Sequence, residues 1–142
     1  EEKLHQPGKF DCVLRPEMIV STKEVEASMS GAACLVNALS PENHDGTDQS
    51  YGKAGHIPGA SNVYAVKLVD SKSHKFLSIA ELREIFSSIT ESKKPIITYC
   101  GGGIAATSDA FVLTALLGHD DVAVYDGSLS EWVLDPARPM EV

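Results

Sequence analysis

Cys100 is preceded by the apolar run Ile96-Ile97-Thr98-Tyr99 and followed by three consecutive glycines, Gly101, Gly102 and Gly103. Glycine loses more backbone freedom on folding than any other residue, so three in a row after a strand are costly. Their return is positive φ and close approach of backbone N–H groups to a bound anion. Successive inward N–H groups form an anion-binding nest, and a helix starting beyond it adds its positive N-terminal end. A sulfur at the centre of such a nest is expected to act as a thiolate nucleophile, and the same nest would stabilise a persulfide or an incoming anionic donor. A lone strand-end cysteine can also be an inert packing residue. A phosphate-binding loop is a further alternative, but the Lys-Ser/Thr ending it needs is missing. The order strand, cysteine, glycine run, helix favours the nucleophile.

The other candidates read as structural. Cys34 lies in the apolar run Ala32–Val36 and is expected to be a small core residue, and Cys12 sits in an irregular lead-in. Three cysteines cannot all pair within one chain, and no CxxC or Cys/His spacing suggests zinc. None of the five histidines forms an HExxH or i, i+4 arrangement, so no metal is expected. His56 reads as the support of a turn, Trp132 as helix packing and Asp126 as a turn residue.

The elements that must position Cys100 follow from periodicity and caps. Residues 1–17, with Pro7, Gly8 and Pro16, read as a lead-in or linker. Met18-Ile19-Val20 reads as a short strand. Ser21 and Glu24 have capping-box spacing and open a helix over about 22–30, ended by Gly31. The run Ala32–Val36 suits a buried strand, followed by a polar stretch from Asn37 to Gly55. Gly55-His56-Ile57-Pro58-Gly59-Ala60 reads as a structured turn into a strand at 61–65. Ser78 and Glu81 form a second capping box, behind which Ile79, Leu82, Ile85, Phe86 and Ile89 recur at helical spacing. After the strand 96–99 a helix is expected from about 104 to 117, with Phe111, Val112, Ala115 and Leu116 inward and Gly118 as its cap. Val122–Tyr125 is another strand, and 128–134 a short helix. Strands alternating with helices, without hairpin signals, predict an α/β fold whose parallel sheet is covered on both faces. Ligands of such sheets bind at the carboxyl ends of the strands, where Cys100 stands.

A chain of 142 residues with 43% hydrophobic content suits one domain, residues 18–142, with a core that needs neither disulfide nor metal. Twelve basic against 20 acidic residues give a net charge of −8, which argues against nucleic acid or an anionic membrane as partner. An anionic substrate would need local help against that field. No apolar run is long enough to span a bilayer, and the polar start EEKLHQPGKF shows no secretory signal. The chain begins without Met, as a processed or excised piece would. Unpaired thiols point to a reducing compartment, and a cytoplasmic location is expected.

Several motifs in order carry a resemblance: Cys34-Leu35-Val36-Asn37-Ala38, then the GHIPGA turn, then Ile97-Thr98-Tyr99-Cys100-Gly101-Gly102-Gly103-Ile104-Ala105, then Val124-Tyr125-Asp126-Gly127-Ser128 and Glu131-Trp132. Over about residues 18–142 the chain resembles a rhodanese-like sulfurtransferase domain. It is most similar to the C-terminal domain of tandem thiosulfate/3-mercaptopyruvate sulfurtransferases, and Val13–Val20 resembles the linker entering that domain. The resemblance implies a rhodanese-like three-layer fold, with a central mostly parallel sheet flanked by helices. It implies that Cys100 takes sulfur as a persulfide from a small-molecule donor of the thiosulfate or mercaptopyruvate class and passes it to a thiol or cyanide acceptor. Gly101, Gly102, Gly103, Ile104 and Ala105 would form the binding loop, with no cofactor and with a second rhodanese-like domain as a further partner. Four departures stand out. Gly101 and Gly102 replace the basic residues of thiosulfate-type loops. Gly102 and Ala105 replace the serine and threonine of the mercaptopyruvate type. No Arg or Lys occurs from Leu35 to Gly52, and Asn37 replaces the usual acidic strand-end residue.

Two other functions compete. A phosphatase or arsenate reductase needs a C-x5-R loop whose guanidinium grips the oxyanion, whereas positions 106 and 107 are Ala and Thr. A non-catalytic or regulatory rhodanese-like domain that needs a partner domain would fit the missing arginines. Retention of Cys100 in an intact loop favours sulfur carriage.

Overall fold

Three of the four strands of the sheet are short, largely apolar and buried, which is the environment that β-branched runs without alternation require. The computed structural model describes residues 8–142. Its four strands are β1 (Cys34–Asn37), β2 (Ser61–Asn62), β3 (Ile96–Tyr99) and β4 (Val122–Val124), all parallel, in the order β2-β1-β3-β4. In the central pair Cys34 stands opposite Ile96 and Asn37 opposite Tyr99. The helices are α1 (Thr22–Ser28), α2 (Pro41–His44), α3 (Ile79–Ile85), α4 (Ser87–Thr90), α5 (Ile104–Phe111) and α6 (Ser128–Trp132).

Alternate strand residues feed two cores. Leu35, Ile97 and Tyr99 pack with Val25 of α1, Ile57 of the turn, and Leu129 and Trp132 of α6. Val36 and Ile96 pack on the other face with Leu82, Phe86 and Ile89 of the α3–α4 region and Ala106, Ala110 and Leu113 of the α5 region. The result is the three-layer α/β arrangement that the alternation predicts.

Both capping boxes form. The Glu24 carboxylate accepts from the Ser21 N–H at 2.7 Å and its hydroxyl at 2.6 Å, and Glu81 accepts likewise from Ser78 at 2.9 and 2.5 Å. They satisfy donors that a helix start otherwise leaves orphaned.

Several boundaries differ from expectation. Residues 1–7 of the lead-in lie outside the described residues. Met18-Ile19-Val20 is not a full strand: Pro16–Met18 form one tight turn, and pairing is limited to Ile19 beside Val124, with the Val20 N–H donating to the Val124 carbonyl at 3.0 Å. The strand expected over 61–65 stops at Asn62, because the chain turns into a short helical segment at Ala65–Leu68. The helix over 79–89 breaks at buried Phe86, and Ile79, at its exposed start, packs little. The helix expected to run to 117 changes winding after α5: Val112–Leu116 form a π turn in which the Leu117 N–H reaches the Val112 carbonyl at 2.9 Å. The buried stripe runs through Ala106, Ala110 and Leu113 at i, i+4 and i+7, so Phe111 and Ala115, expected inward, lie off it and are exposed, while Asp109, Ala110, Val112 and Leu113 are buried. The polar stretch also hides α2, which starts on a Ser40 cap whose Oγ accepts the Asn43 N–H at 3.3 Å.

Candidate active site

The strand order places Cys100 at a fork. The chain leaves β1 toward β2 on one side, and leaves β3 toward β4 on the other, so a crevice opens beyond their adjacent carboxyl ends. Leu39, just past β1, and Cys100, just past β3, line that crevice together.

Ser128 holds the cysteine loop in shape. Its Oγ accepts the N–H of Cys100 at 3.0 Å and of Gly103 at 3.1 Å, and its hydroxyl donates to the Tyr125 carbonyl at 2.8 Å. The loop carbonyls also turn toward α6. The Leu129 N–H reaches the Cys100 carbonyl at 3.1 Å, while the Ser130 N–H and Oγ donate to the Gly101 carbonyl at 2.8 and 2.7 Å. Among the described residues, no acceptor takes the N–H of Gly101, Gly102, Ile104 or Ala105. Carbonyls engaged on one side and donors free at the cleft are the arrangement an anion needs.

Two glycines stand where a side chain would meet a neighbour. A Cβ at Gly103, whose φ is +84°, would stand 2.6 Å from Asp126 Oδ1 and 2.8 Å from the Asp126 carbonyl oxygen. A Cβ at Gly101 would stand 2.1 Å from the Tyr51 ring. Tyr51 therefore lies directly against the loop.

The cleft has a volume of about 310 Å³. Cys100, Gly101, Gly102, Ile104 and Ala105 line it with Leu39, Tyr51 and Ser108. Gly103 departs from the expected set: it is buried behind the loop and does not line the cleft. Cys100 is only 3% exposed, so a reagent reaches its sulfur through this cleft. Among the described residues no cationic side chain lines it. Lys53, the nearest basic residue in sequence to Tyr51, donates instead to the carbonyls of Asp135, Pro136 and Arg138 at 3.1, 3.3 and 3.0 Å. A larger cavity, about 440 Å³, lies at the opposite end of β3 beside Lys93, Lys94 and Ile96.

Beneath the cleft lies a polar scaffold. Asn37 Oδ1 accepts the Leu39 N–H at 3.0 Å, and its Nδ2 donates to His44 Nδ1 at 3.3 Å. His44 stacks on His56 with ring centroids 3.6 Å apart, and burial, helped by His56, pushes its pKa down to about 4. Both features fit a neutral His44. His56 Nδ1 donates to the His44 carbonyl at 2.7 Å, and the Tyr99 hydroxyl accepts the Ile57 N–H at 3.0 Å. His56 thus ties the GHIPGA turn to the backbone at His44, the bond expected of a turn support. Trp132 is fully buried and donates to the Pro139 carbonyl at 3.0 Å, in keeping with a packing role.

Sequence reasoning missed Tyr51, Ser128 and Ser130. Ser128 alone left a signal, following Asp126-Gly127 at a helix start. Cys34, expected in the core, is half-buried at the opposite end of its strand, with Sγ 3.0 Å from Ser92 Oγ. Cys12 is exposed in the lead-in. Among the described residues no group of three His, Cys, Asp or Glu side chains could hold a metal ion, and no helix is long and apolar enough to cross a membrane.

The fold and loop define a class: a parallel α/β domain that presents a cysteine in a glycine-rich loop at the fork of its sheet. The chain belongs to the rhodanese-like domain family, which matches residues 21–135. Sulfur carrier protein TtuD of Thermus thermophilus is 31% identical across 90% of this chain and 50% of its own length. The mitochondrial thiosulfate/3-mercaptopyruvate sulfurtransferase 1 of Arabidopsis thaliana is 32% identical across 99% of this chain and 39% of its own. A solved structure of EanB, in a cysteine-persulfide state with ergothioneine, superposes with a TM-score of 0.78 at 29% identity, covering 90% of this chain and 33% of that one. The chain thus spans half or less of the length of these relatives.

Proposed function

We propose that this domain is a sulfurtransferase in which Cys100 carries the sulfur. The Cys100 thiolate attacks the outer sulfur of a sulfane donor; a Cys100 Sγ–S bond forms, and the donor's bond to that sulfur breaks with its electron pair leaving on the donor. An acceptor thiolate or cyanide then attacks the outer sulfur, and the pair of the breaking bond returns to Sγ. The observation that carries the reading is the set of free N–H groups at Gly101, Gly102, Ile104 and Ala105 around a cysteine whose loop carbonyls are tied back by α6. Fixed donors aimed at a developing sulfur anion stabilise it without reorganisation. Relatives named as sulfur carrier and sulfurtransferase support the same chemistry.

Thiocyanate formation from thiosulfate or mercaptopyruvate and cyanide tests it, on the wild type and on Cys100→Ser. The serine variant is expected to lose the activity; equal yields from the two proteins overturn the proposal.

A second reading, a domain that acts only with a partner such as another rhodanese-like domain, is favoured by the lack of a cation in the cleft among the described residues and by the span of the relatives. Mass spectrometry after incubation with sulfur donors separates the two. One reducible added sulfur on the isolated chain supports sulfur carriage, whereas no adduct from any donor supports the partner-dependent domain.

A further inference from the structure

The cleft beside Cys100 does not end at Tyr51. A second hollow of about 210 Å³ adjoins it, and Leu39 and Tyr51 line both. Its far walls are polar and carry one charge: Tyr64, Asn43, Ser50 and Asp48. The Asp48 carboxylate is held in place. Asn43 Nδ2 donates to Oδ2 at 2.5 Å, the Ser50 N–H donates to Oδ1 at 2.9 Å, and the Ser50 hydroxyl donates to the same oxygen. These bonds, Ser50 foremost, keep its pKa below the usual carboxylate value. A carboxylate offers about four acceptor sites, so one remains for a further donor.

Among the described residues no positive side chain pairs with Asp48. Lys53 is engaged on three carbonyls, and Arg138 pairs with Glu26 at 2.7 Å. The hollow at Cys100 therefore has free N–H donors for a sulfur anion, and the adjoining one has two tyrosine rings and an unneutralised carboxylate. The net charge of −8 reinforces the far end. Aromatic faces and a carboxylate together attract a cation, most strongly where water is partly excluded.

We infer that the preferred sulfur acceptor is a small cationic thiol whose thiolate reaches Cys100 while its ammonium group lies at the end lined by Tyr51, Tyr64 and Asp48. The inference rests on the sulfur-transfer reading and names its substrate class. In the step, the acceptor thiolate attacks the outer sulfur of Cys100–S–SH. A new S–S bond forms, the bond to Sγ breaks with its pair returning to Sγ, and the acceptor leaves as a persulfide. No oxidant or reductant is consumed.

The full chain is loaded with sulfur from thiosulfate or mercaptopyruvate, freed of donor and mixed with cysteamine, 2-mercaptoethanol or mercaptoacetate. Loss of the added sulfur is followed by mass spectrometry. The readout is the rate ratio of cysteamine to mercaptoacetate, compared between wild type and Asp48→Asn, so that intrinsic thiol reactivity cancels. The ratio is expected to be at least roughly threefold higher in the wild type and to shrink in about 0.5 M salt, as an exposed charge such as Asp48 should. Asp48→Glu, which restores the charge, is expected to recover it. A ratio equal in wild type and Asp48→Asn overturns the inference, as does an Asp48→Asn effect that Asp48→Glu does not recover. If Cys100 takes no sulfur from any donor, the sulfur-transfer reading falls and this inference with it; a loaded protein that is blind to thiol charge overturns this inference alone.

Discussion

Ser128 concentrates more of the loop's geometry than any other side chain. It is fully buried, has φ of +51° and accepts two N–H groups from the cysteine loop through one oxygen. An L-residue in the left-handed region costs about 1 kcal/mol or more. That strain persists because the hydroxyl satisfies donors that would otherwise be buried without partners. Ser128→Ala strands both and is expected to lower stability by about 2–3 kcal/mol. Ser128→Gly loses the same hydroxyl but relieves the backbone, and is expected to recover about 1 kcal/mol of that loss. Urea denaturation of the three proteins checks both steps. Equal stability of Ser128→Ala and the wild type would show that the oxygen does not hold the loop.

At the scale of elements, the loop after β3 and the segment carrying Tyr51 fit because position 101 has no side chain. A Cβ there meets the far end of the Tyr51 ring, which can swing aside, rather than rigid backbone. Gly101→Ala is therefore expected to cost under about 1 kcal/mol in stability. Its effect should fall on the cleft, where Tyr51 forms a wall. Sulfur loading of Cys100 is expected to slow several-fold in Gly101→Ala. Adding Tyr51→Ala should cause no further loss, because the two changes disturb one contact. Additive effects would separate Tyr51 from the loop.

This contact also marks the boundary of what the sequence could tell. Strands β1, β3 and β4 are legible because runs buried on both faces must be apolar throughout. The cysteine loop is legible because its glycines adjoin it in the chain. Tyr51 acts through a tertiary contact with no periodicity, so no local pattern reports it, and the place of Ser128 after Asp126-Gly127 marks a helix start but not its bonds to the loop. The inward face of α5 differs from expectation for another reason: the stripe that packs on the sheet is carried by the small residues Ala106 and Ala110, so the larger Phe111 beside them draws the apolar pattern off the true face.

For the whole molecule, a buried and a half-buried group on different elements should shape stability against pH in opposite senses. Asp109 on α5 is fully buried, neither of its oxygens has a hydrogen-bond partner among the described residues, and burial pushes its pKa from 3.8 up to about 8. Its carboxyl is tolerated when protonated, so its contribution is complete below pH 3.8 and is lost as pH rises to about 8. His44 behaves oppositely. Its pKa is pushed from 6.5 down to about 4, so the folded state holds it neutral; its contribution is complete above pH 6.5 and is lost as pH falls toward 4. Between pH 4 and 6.5 the two slopes oppose each other, and above 6.5 only Asp109 acts. At about 1.4 kcal/mol per pH unit, the wild type is expected to lose about 2 kcal/mol between pH 6.5 and 8. Asp109→Asn removes that loss, keeps the side-chain shape and leaves His44 in place. Its stability should be flat above pH 6.5 and should fall more steeply than the wild type below it, where the His44 slope is no longer offset. Urea midpoints at half-unit pH steps measure both limbs, and curves that run parallel in the two proteins would remove Asp109 as the source of the alkaline loss.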